Sequence, residues 1–97
     1  MTEGAAQRLD HWLWCARVAR TRPACAALVE AGRVRINRQP TDKPHARVRV
    51  GDVLTLALGD AEHGTVRVWR VLALAERRGP AAAARALYEE AGAGDPG

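Results

Sequence analysis

Apolar residues near the start of the chain recur with the spacing of one helix face. The pattern i, i+3, i+4, i+7 predicts a helix over about residues 8–19. Its apolar members are Leu9, Trp12, Leu13 and Ala16. A second helix should follow, because Thr21 is suited to cap a helix N-terminus, Pro23 fits the first turn, and Gly32 is a natural residue to end it. The apolar face of this second helix carries Cys25, Leu28 and Val29.

Alternation of polar and apolar residues predicts short strands through the middle of the chain. The predicted strands cover residues 33–37, 47–50, 53–58 and 65–75. Between them, Arg38–His45 holds two prolines and predicts a loop, and Gly59–Gly64 predicts an acidic turn. A short polar turn between two adjacent strands indicates an antiparallel pair. In the last strand we expect inward positions at Val66, Val68 and Val71.

The end of the chain predicts one more helix, which begins at Pro80 and continues through Leu87 and Tyr88 to about Ala91. We therefore predict an α+β fold, in which two N-terminal helices pack on a small, mostly antiparallel sheet and a C-terminal helix is added. The main domain should cover residues 8–75 and the C-terminal helix residues 76–91, with flexible termini at 1–7 and 92–97.

A chain of 97 residues supports a single domain with one modest core. It contains no apolar run of membrane-spanning length, and its first residues lack the features of a secretory signal, so we expect a cytoplasmic location. Cys15 and Cys25 fit that compartment as buried free thiols.

No catalytic or metal-binding set stands out in the sequence. His11 and Cys15 are spaced i, i+4 and would make half of a metal site, but no Cys-x-x-Cys or His-x-x-x-His supplies the other half. The chain also lacks a Gly-rich phosphate loop and a nucleophile elbow. We therefore expect no metal, no cofactor and no enzymatic activity.

Positive charge is concentrated in the first half of the chain. Residues 8–49 contain ten basic and three acidic residues, a net charge of +7, whereas the whole chain carries +4. Folding the helix pair onto the next strand would bring several arginines together with few acids to neutralise them. A phosphate backbone would supply the missing negative charge, so the distribution favours nucleic-acid binding. It does not separate RNA from DNA.

The roles of three residues in the first predicted helix, Asp10, Trp12 and Trp14, can be considered from the sequence. Asp10 is either a carboxylate that orients an arginine or an acid favoured by the helix dipole, and the sequence leaves both open. Trp12 belongs to the apolar face and is expected in the core. Trp14 lies off that face, and we favour a packing contact over a surface for stacking bases.

These residues carry a resemblance to the S4 RNA-binding domain, named after a protein of the small ribosomal subunit. The motifs that match are Arg8-Leu9-Asp10, Thr21-Arg22, Leu28-Val29, Gly32, Val34, Asn37, Lys43-Pro44 and Gly51-Asp52, in order over about 45 residues. The resemblance implies the alpha-L RNA-binding motif, a helix pair and strand that bind structured RNA. It implies contact residues at Arg8, Arg17, Arg22, Arg33 and Lys43.

A second resemblance narrows the first. The segments RLDHWLWCAR and RRGPAAAARALYEE look like the bacterial heat shock protein 15 family. That family implies RNA and DNA binding, association with the free large ribosomal subunit that still holds tRNA and a nascent chain, and recycling of such subunits after heat stress. Longer members of the family end in a basic tail, whereas this sequence ends in Ala-Gly-Ala-Gly-Asp-Pro-Gly.

We combine the charge pattern and the resemblance into one set of expected site residues. The expected RNA contacts are Arg8, Arg17, Arg20, Arg22, Arg33, Arg35 and Lys43, and the residues expected to organise the motif are Asp10, Thr21, Gly32 and Asn37. The family often has glycine after this asparagine, where the chain has Arg38. That turn is therefore either built differently or uses Arg38 as a further contact, because a left-handed conformation costs a non-glycine residue about 1–2 kcal/mol.

Ribosomal RNA of the large subunit, tRNA and DNA are the expected partners, and the protein is expected to be a monomer. Two other functions remain open at this point. The chain could be the RNA-reading module of a modifying enzyme, such as a pseudouridine synthase with a separate catalytic subunit. Alternatively, its basic face could bind an acidic protein.

Overall fold

The computed structural model describes residues 5–59 and 64–91, which form three helices and seven strands. The elements in chain order are β1 Gln7–Arg8, α1 Leu9–Cys15, α2 Arg22–Glu30, β2 Val34–Ile36, β3 Gln39–Thr41, β4 Arg47–Val48, β5 Val53–Leu58, β6 Thr65–Val71, α3 Ala81–Arg85 and β7 Tyr88–Glu90. Of the flexible termini expected at residues 1–7 and 92–97, residues 1–4 and 92–97 lie outside the described residues, as does most of the acidic turn.

Both N-terminal helices end in the same hydrogen-bonded motif. In α1 the N–H of Arg17 donates to the carbonyl of Trp14, and that of Val18 to the carbonyl of Leu13. This is the Schellman pattern, whose left-handed position is filled here by Arg17 at φ 64°. The helix therefore ends at Cys15, earlier than the predicted Ala19. In α2 the left-handed position is Gly32 at φ 79°, as the sequence predicted.

Five strands form one antiparallel sheet in the order β3-β2-β5-β6-β7, and β1 pairs with β4 as a separate two-stranded ribbon. The helix pair covers one face of the sheet. The core between them is almost closed to solvent; its largest fully buried side chains are Trp12, Leu9, Leu13, Leu54, Leu56, Val29, Val34, Val48 and Val71. The α+β architecture expected from the sequence is thus confirmed. None of the helices in the described part of the chain has the length and apolar character needed to cross a membrane.

The segment predicted as a loop after β2 contains a strand. A two-residue turn, Asn37 at φ 52° and Arg38 at φ 72°, reverses the chain so that Ile36 pairs with Gln39. Two positive φ angles make this a type I′ turn, whose twist suits a hairpin. Pro40 argued against a strand in the sequence, but it lies in an edge strand, where a missing N–H is tolerated.

The inward face of β6 was predicted wrongly in part. Trp69 and Val71 are buried, whereas Val66 is 61% exposed and Val68 is half-buried. Apolar residues occupy both faces of this strand, so alternation alone could not choose between them. The face that carries Trp69 is the buried one, because the Trp69 ring stacks on that of Tyr88 on β7 with the ring centroids 3.7 Å apart.

The C-terminal helix is present but shorter than predicted. It ends at Arg85, and Tyr88–Glu90 then adds a strand to the edge of the sheet instead of continuing the helix to Ala91. Ion pairs across β6 and β7 hold the strand there: Arg70 Nη1 to Glu89 Oε2 at 2.9 Å, and Arg67 Nη1 to Glu90 Oε2 at 3.5 Å.

A segment between β6 and α3, residues 73–79, crosses α1 and is hydrogen-bonded to its side chains. Trp12 Nε1 donates to the carbonyl of Ala73 at 2.9 Å, and Arg78 Nε donates to the carbonyl of Trp14 at 3.1 Å. The guanidinium of Arg78 also lies 5.8 Å from the centre of the Trp14 ring. Trp14 is therefore a packing residue, the interpretation that the sequence favoured.

The N-terminal residues contribute to the same region of the structure. Gln7, expected in a flexible leader, is buried and belongs to β1. Its side-chain amide donates to the carbonyl of Ala75 and accepts from the N–H of the same residue. The ordered domain therefore begins before Arg8.

The left-handed conformation of Arg38 leads to a stability prediction. Arg38→Gly should raise the free energy of unfolding by about 0.5–1 kcal/mol, because it removes about 1–2 kcal/mol of backbone strain and returns part of it as extra unfolded-state entropy. Urea denaturation of both proteins measures the difference.

Arg35→Gly is the matched control for this prediction, since it removes the same side chain from β2, where φ is not positive. It should lower stability by about 0.5–1 kcal/mol. A loss of stability in Arg38→Gly as well would mean that the turn carries no strain.

Candidate nucleic-acid interface

The buried carboxylate of Asp10 lies at the centre of the predicted site. Only 5% of Asp10 is exposed, although it stands in the first turn of α1. Arg8 donates to both of its oxygens, Nε to Oδ1 and Nη2 to Oδ2, each at 3.2 Å. Arg22 Nη2, at the start of α2, lies 3.5 Å from the same Oδ1. Of the two interpretations left open by the sequence, the structure favours a carboxylate that orients arginines.

This arrangement leaves charge on the outside. A buried negative charge has to be paired with positive charge. The two guanidiniums carry more positive charge than the single carboxylate neutralises. The side chains of Arg8 and Arg22 are 47% and 40% exposed, so each retains donors that face solvent. Arginine carries five N–H donors in a planar fork that matches phosphate oxygens. The site can therefore bind an anion without losing its internal ion pair.

The start of α2 is built as the sequence predicted. Thr21 Oγ1 accepts a hydrogen bond from the N–H of Ala24 at 3.1 Å, and Pro23 lies in the first turn. This cap fixes where the helix begins and so fixes Arg22 beside Asp10. Arg20 precedes the cap and is exposed.

Lys43 belongs to a loop that holds the beginning of α1. The N–H of Leu9 donates to the carbonyl of Ala46 at 2.7 Å, and that of Asp10 to the carbonyl of Pro44 at 3.1 Å. Lys43 itself is 67% exposed and makes only a 3.8 Å contact with the exposed Asp42 within the described residues. An exposed ion pair of this kind contributes little, so the ammonium is available to a ligand.

Asn37 organises the far end of the motif. Its Oδ1 accepts from the N–H of Val53 at 2.9 Å, and its Nδ2 donates to Oδ1 of Asp52 at 3.1 Å. The other oxygen of Asp52 accepts from the N–H of Arg49 at 2.9 Å. The β2–β3 hairpin is thereby fixed to the turn between β4 and β5.

Two of the predicted contact residues make structural hydrogen bonds. Arg17 Nε donates to the carbonyl of Gly79 at 3.1 Å, which attaches the end of α1 to the crossing segment. Arg33 Nη1 donates to the carbonyls of Gly59 at 2.9 Å and Ala57 at 3.4 Å. Their roles in ligand contact stay predictions. By contrast, Arg35 projects from the outer face of β2 and is exposed.

Sequence reasoning missed two basic residues beside this site, Arg47 and Arg49, and left Arg38 open as a further contact. Arg47 on β4 pairs directly with Arg8 on β1, and Arg49, two residues further along the chain, is also exposed. The alternation of exposed arginines about the buried Val48 was the available signal. The pairing of β4 with β1 was not visible, because these two-residue strands are 40 residues apart in register.

The cysteines contribute to the core and not to the interface. Both are buried free thiols, and burial raises the pKa of each above its ordinary value. They therefore stay protonated and unreactive at neutral pH. Cys15 Sγ contacts the carbonyl of Ala75 at 3.5 Å and the imidazole of His11 lies 3.1 Å from the carbonyl of Glu76, so the two potential ligands meet backbone oxygens.

Comparison with known proteins identifies a family domain in the part of the chain that contains this site. The family model for the S4 domain matches residues 7–54. The chain is 41% identical over 83 residues to heat shock protein 15 of Escherichia coli, an alignment that covers 86% of this chain and 59% of that protein. It is 39% identical to the heat shock protein 15 homolog of Haemophilus influenzae, covering 60% of that protein. The chain thus spans about three fifths of the length of these curated relatives.

A solved structure extends the likeness to the fold. Heat shock protein 15 of Vibrio cholerae, described as trimeric, superposes with a TM-score of 0.80 at 33% sequence identity. The match covers 90% of this chain and 83% of that one. The similarity therefore includes the sheet and the C-terminal elements as well as the helix pair.

Arg33 and Arg35 form a matched pair for testing which arginines are structural. Arg33→Ala should lower the free energy of unfolding by about 0.5–1.5 kcal/mol, because it removes hydrogen bonds to the end of β5. Arg35→Ala should change it by less than about 0.5 kcal/mol. Thermal denaturation of the two variants gives the comparison. Equal melting temperatures would show that the Arg33 hydrogen bonds do not stabilise the fold.

Proposed function

Because this chain belongs to the heat shock protein 15 family and carries the S4 domain, we propose that it is an RNA-binding protein that acts by binding and not by catalysis. Its target is the free large ribosomal subunit that still carries tRNA and a nascent chain. Its role is to help recycle such stalled subunits after heat stress. Its charge suits DNA as well, but the folded rRNA surface is the proposed physiological partner.

One observation supports this proposal above the others: the buried Asp10 holds two half-exposed arginines at the junction of α1 and α2. The ion pair reduces the freedom of both guanidiniums before any ligand binds. Less side-chain entropy is then lost on binding, which favours affinity. The net charge of +7 on residues 8–49 supplies the long-range attraction to a polyanion.

The proposal specifies contacts with the RNA backbone. The contact residues proposed are Arg8, Arg17, Arg20, Arg22, Arg33, Arg35 and Lys43. Contacts with phosphates set affinity and orientation but carry no sequence information, so the target is selected by the shape of folded RNA. The protein is proposed to act as a monomer; analytical ultracentrifugation tests this, since the similar Vibrio cholerae protein is described as trimeric.

The first functional prediction concerns salt. Each neutralised phosphate releases counterions, so five to seven contacts should give a log–log slope of affinity against salt of about −3.5 to −6. Fluorescence titration of a structured fragment of large-subunit RNA at several salt concentrations measures the slope. A slope near zero would exclude the proposed surface.

Sedimentation of a cell lysate through a gradient then tests the partner. The protein should move with the free large subunit and leave that fraction after nuclease treatment. Persistence with an acidic protein after nuclease treatment would favour the protein-interaction alternative. Constant recovery with a catalytic subunit would favour the modifying-enzyme alternative.

A second prediction separates contact residues from the scaffold. Arg22→Ala should weaken RNA binding while lowering stability by less than about 1 kcal/mol, because Arg8 still donates to both oxygens of the buried Asp10 when Arg22 is removed. Val29→Ala should do the reverse, since Val29 is fully buried and each lost methylene costs about 0.8 kcal/mol before any cavity term.

Val29 replaces Leu28 as the informative scaffold position, since Leu28 is only partly buried. Melting curves and RNA titrations of both variants are needed. Equal losses of melting temperature in Arg22→Ala and Val29→Ala would identify Arg22 as a structural residue.

A further inference from the structure

The structure contains basic residues beside the proposed interface that the S4 resemblance did not assign. We infer that Arg38, Arg47 and Arg49, here called the basic ridge, form an extension of the RNA-binding surface that contacts phosphates beyond the helix pair. This inference rests on the proposed function, because it requires that the Asp10-centred site binds RNA.

The ridge is physically continuous with the Asp10-centred site. Arg8, which is bonded to Asp10, is the direct antiparallel partner of Arg47. Residues directly opposite in an antiparallel pair have Cβ atoms about 4.5–5.5 Å apart, so two like charges are neighbours here. Such a pair is unfavourable in isolation. A polyanion that contacts both side chains removes the repulsion.

From Arg47 the ridge continues along the chain to Arg49. The intervening Val48 is fully buried, so the two arginines on either side of it point outward together. Successive outward residues of an extended segment are about 6.6 Å apart. The two guanidiniums can therefore contact neighbouring groups of one nucleic-acid strand.

The ridge then reaches the β2–β3 turn through Asp52. One oxygen of Asp52 accepts from the N–H of Arg49 and the other from the side chain of Asn37, which precedes Arg38. Both oxygens thus bind neutral N–H groups. The guanidiniums of the ridge form no ion pair or side-chain hydrogen bond within residues 5–59 and 64–91.

Backbone strain gives an independent reason to assign a function to Arg38. Its φ of 72° is one that glycine adopts freely and arginine does not. Its exposed side chain makes no described contact that would repay the strain. The type I′ turn requires a positive φ at this position, but glycine would supply it without strain, so the turn alone does not account for an arginine. A phosphate contact by Arg38 accounts for an arginine at this position.

The test compares salt slopes for one probe, a structured fragment of large-subunit RNA. Arg47→Gln combined with Arg49→Gln should make the log–log slope less steep by about 1.4–1.8, the value for two lost contacts. Arg85→Gln is the control, since Arg85 is an exposed arginine on α3 and belongs neither to the ridge nor to the proposed contacts. Its slope should equal that of the unmodified protein.

Substitutions of Arg38 provide a second test, in which stability and RNA binding are expected to change in opposite directions. Arg38→Gly should raise the melting temperature and at the same time make the salt slope less steep by about 0.7–0.9. Arg38→Lys keeps the charge and should keep the slope. A structural role alone would move stability and binding together, whereas the proposed role moves them in opposite directions.

The failures of the two proposals are distinguishable. If the unmodified protein shows a slope near zero, the proposed function and the ridge are both wrong. If its slope is steep and Arg22→Ala weakens binding, but the ridge variants match the unmodified protein, the ridge alone is wrong. If Arg85→Gln reduces the slope as much as a single ridge substitution, net charge explains the effect and the ridge is again wrong.

Discussion

The compensation of one buried carboxylate determines how this domain presents its charge. Asp10 is almost fully enclosed at the start of α1, so its negative charge must be paired. Arg8 from β1 and Arg22 from α2 pair with it, which links the first strand to both helices. Because each arginine remains partly exposed, the same interaction that stabilises the fold also holds donors at the surface. Fold and candidate interface therefore depend on one ion-pair cluster.

A second constraint keeps that cluster rigid. The crossing segment 73–79 is hydrogen-bonded to the Gln7 amide in β1, the Trp12 indole in α1 and the Arg17 guanidinium just after α1. Beyond it, Tyr88 stacks on Trp69 and closes the edge of the sheet. The hydrogen bonds of the crossing segment join residues about 60 to 70 positions apart, so the helix pair with the predicted contacts is supported by the last third of the chain. Arg17 is part of this support and Arg33 is bonded to the end of β5, while Arg20, Arg35 and Lys43 remain exposed at the surface.

The candidate surface is wider than the motif that first identified it. Arg47 lies opposite Arg8, and the ridge continues through Arg49 to the strained Arg38. Within the described residues the guanidiniums of the ridge form no ion pair, and such clustering is costly for a protein alone and favourable for one that binds a polyanion. The family resemblance directed attention to residues in and around the helix pair, whereas the pairing of β1 with β4 brings Arg47 beside Arg8 and extends the basic surface.

The sequence by itself determined the local features whose causes lie within a few residues. The Thr21 cap, the Gly32 stop, the strand Val53–Leu58 and the α+β class follow from side-chain chemistry and periodicity, and all are present. Only the tertiary structure decided which face of β6 is buried, because apolar residues occur on both faces and Trp69 is buried by stacking on Tyr88, 19 positions away. It also decided that Tyr88 belongs to a strand and not to the last helix. It also decided that Pro40 lies in an edge strand and that Arg8 meets Arg47. Such pairings join segments distant in sequence, and the free energy that selects them comes from burial and hydrogen bonding across the assembled fold, which no local pattern encodes.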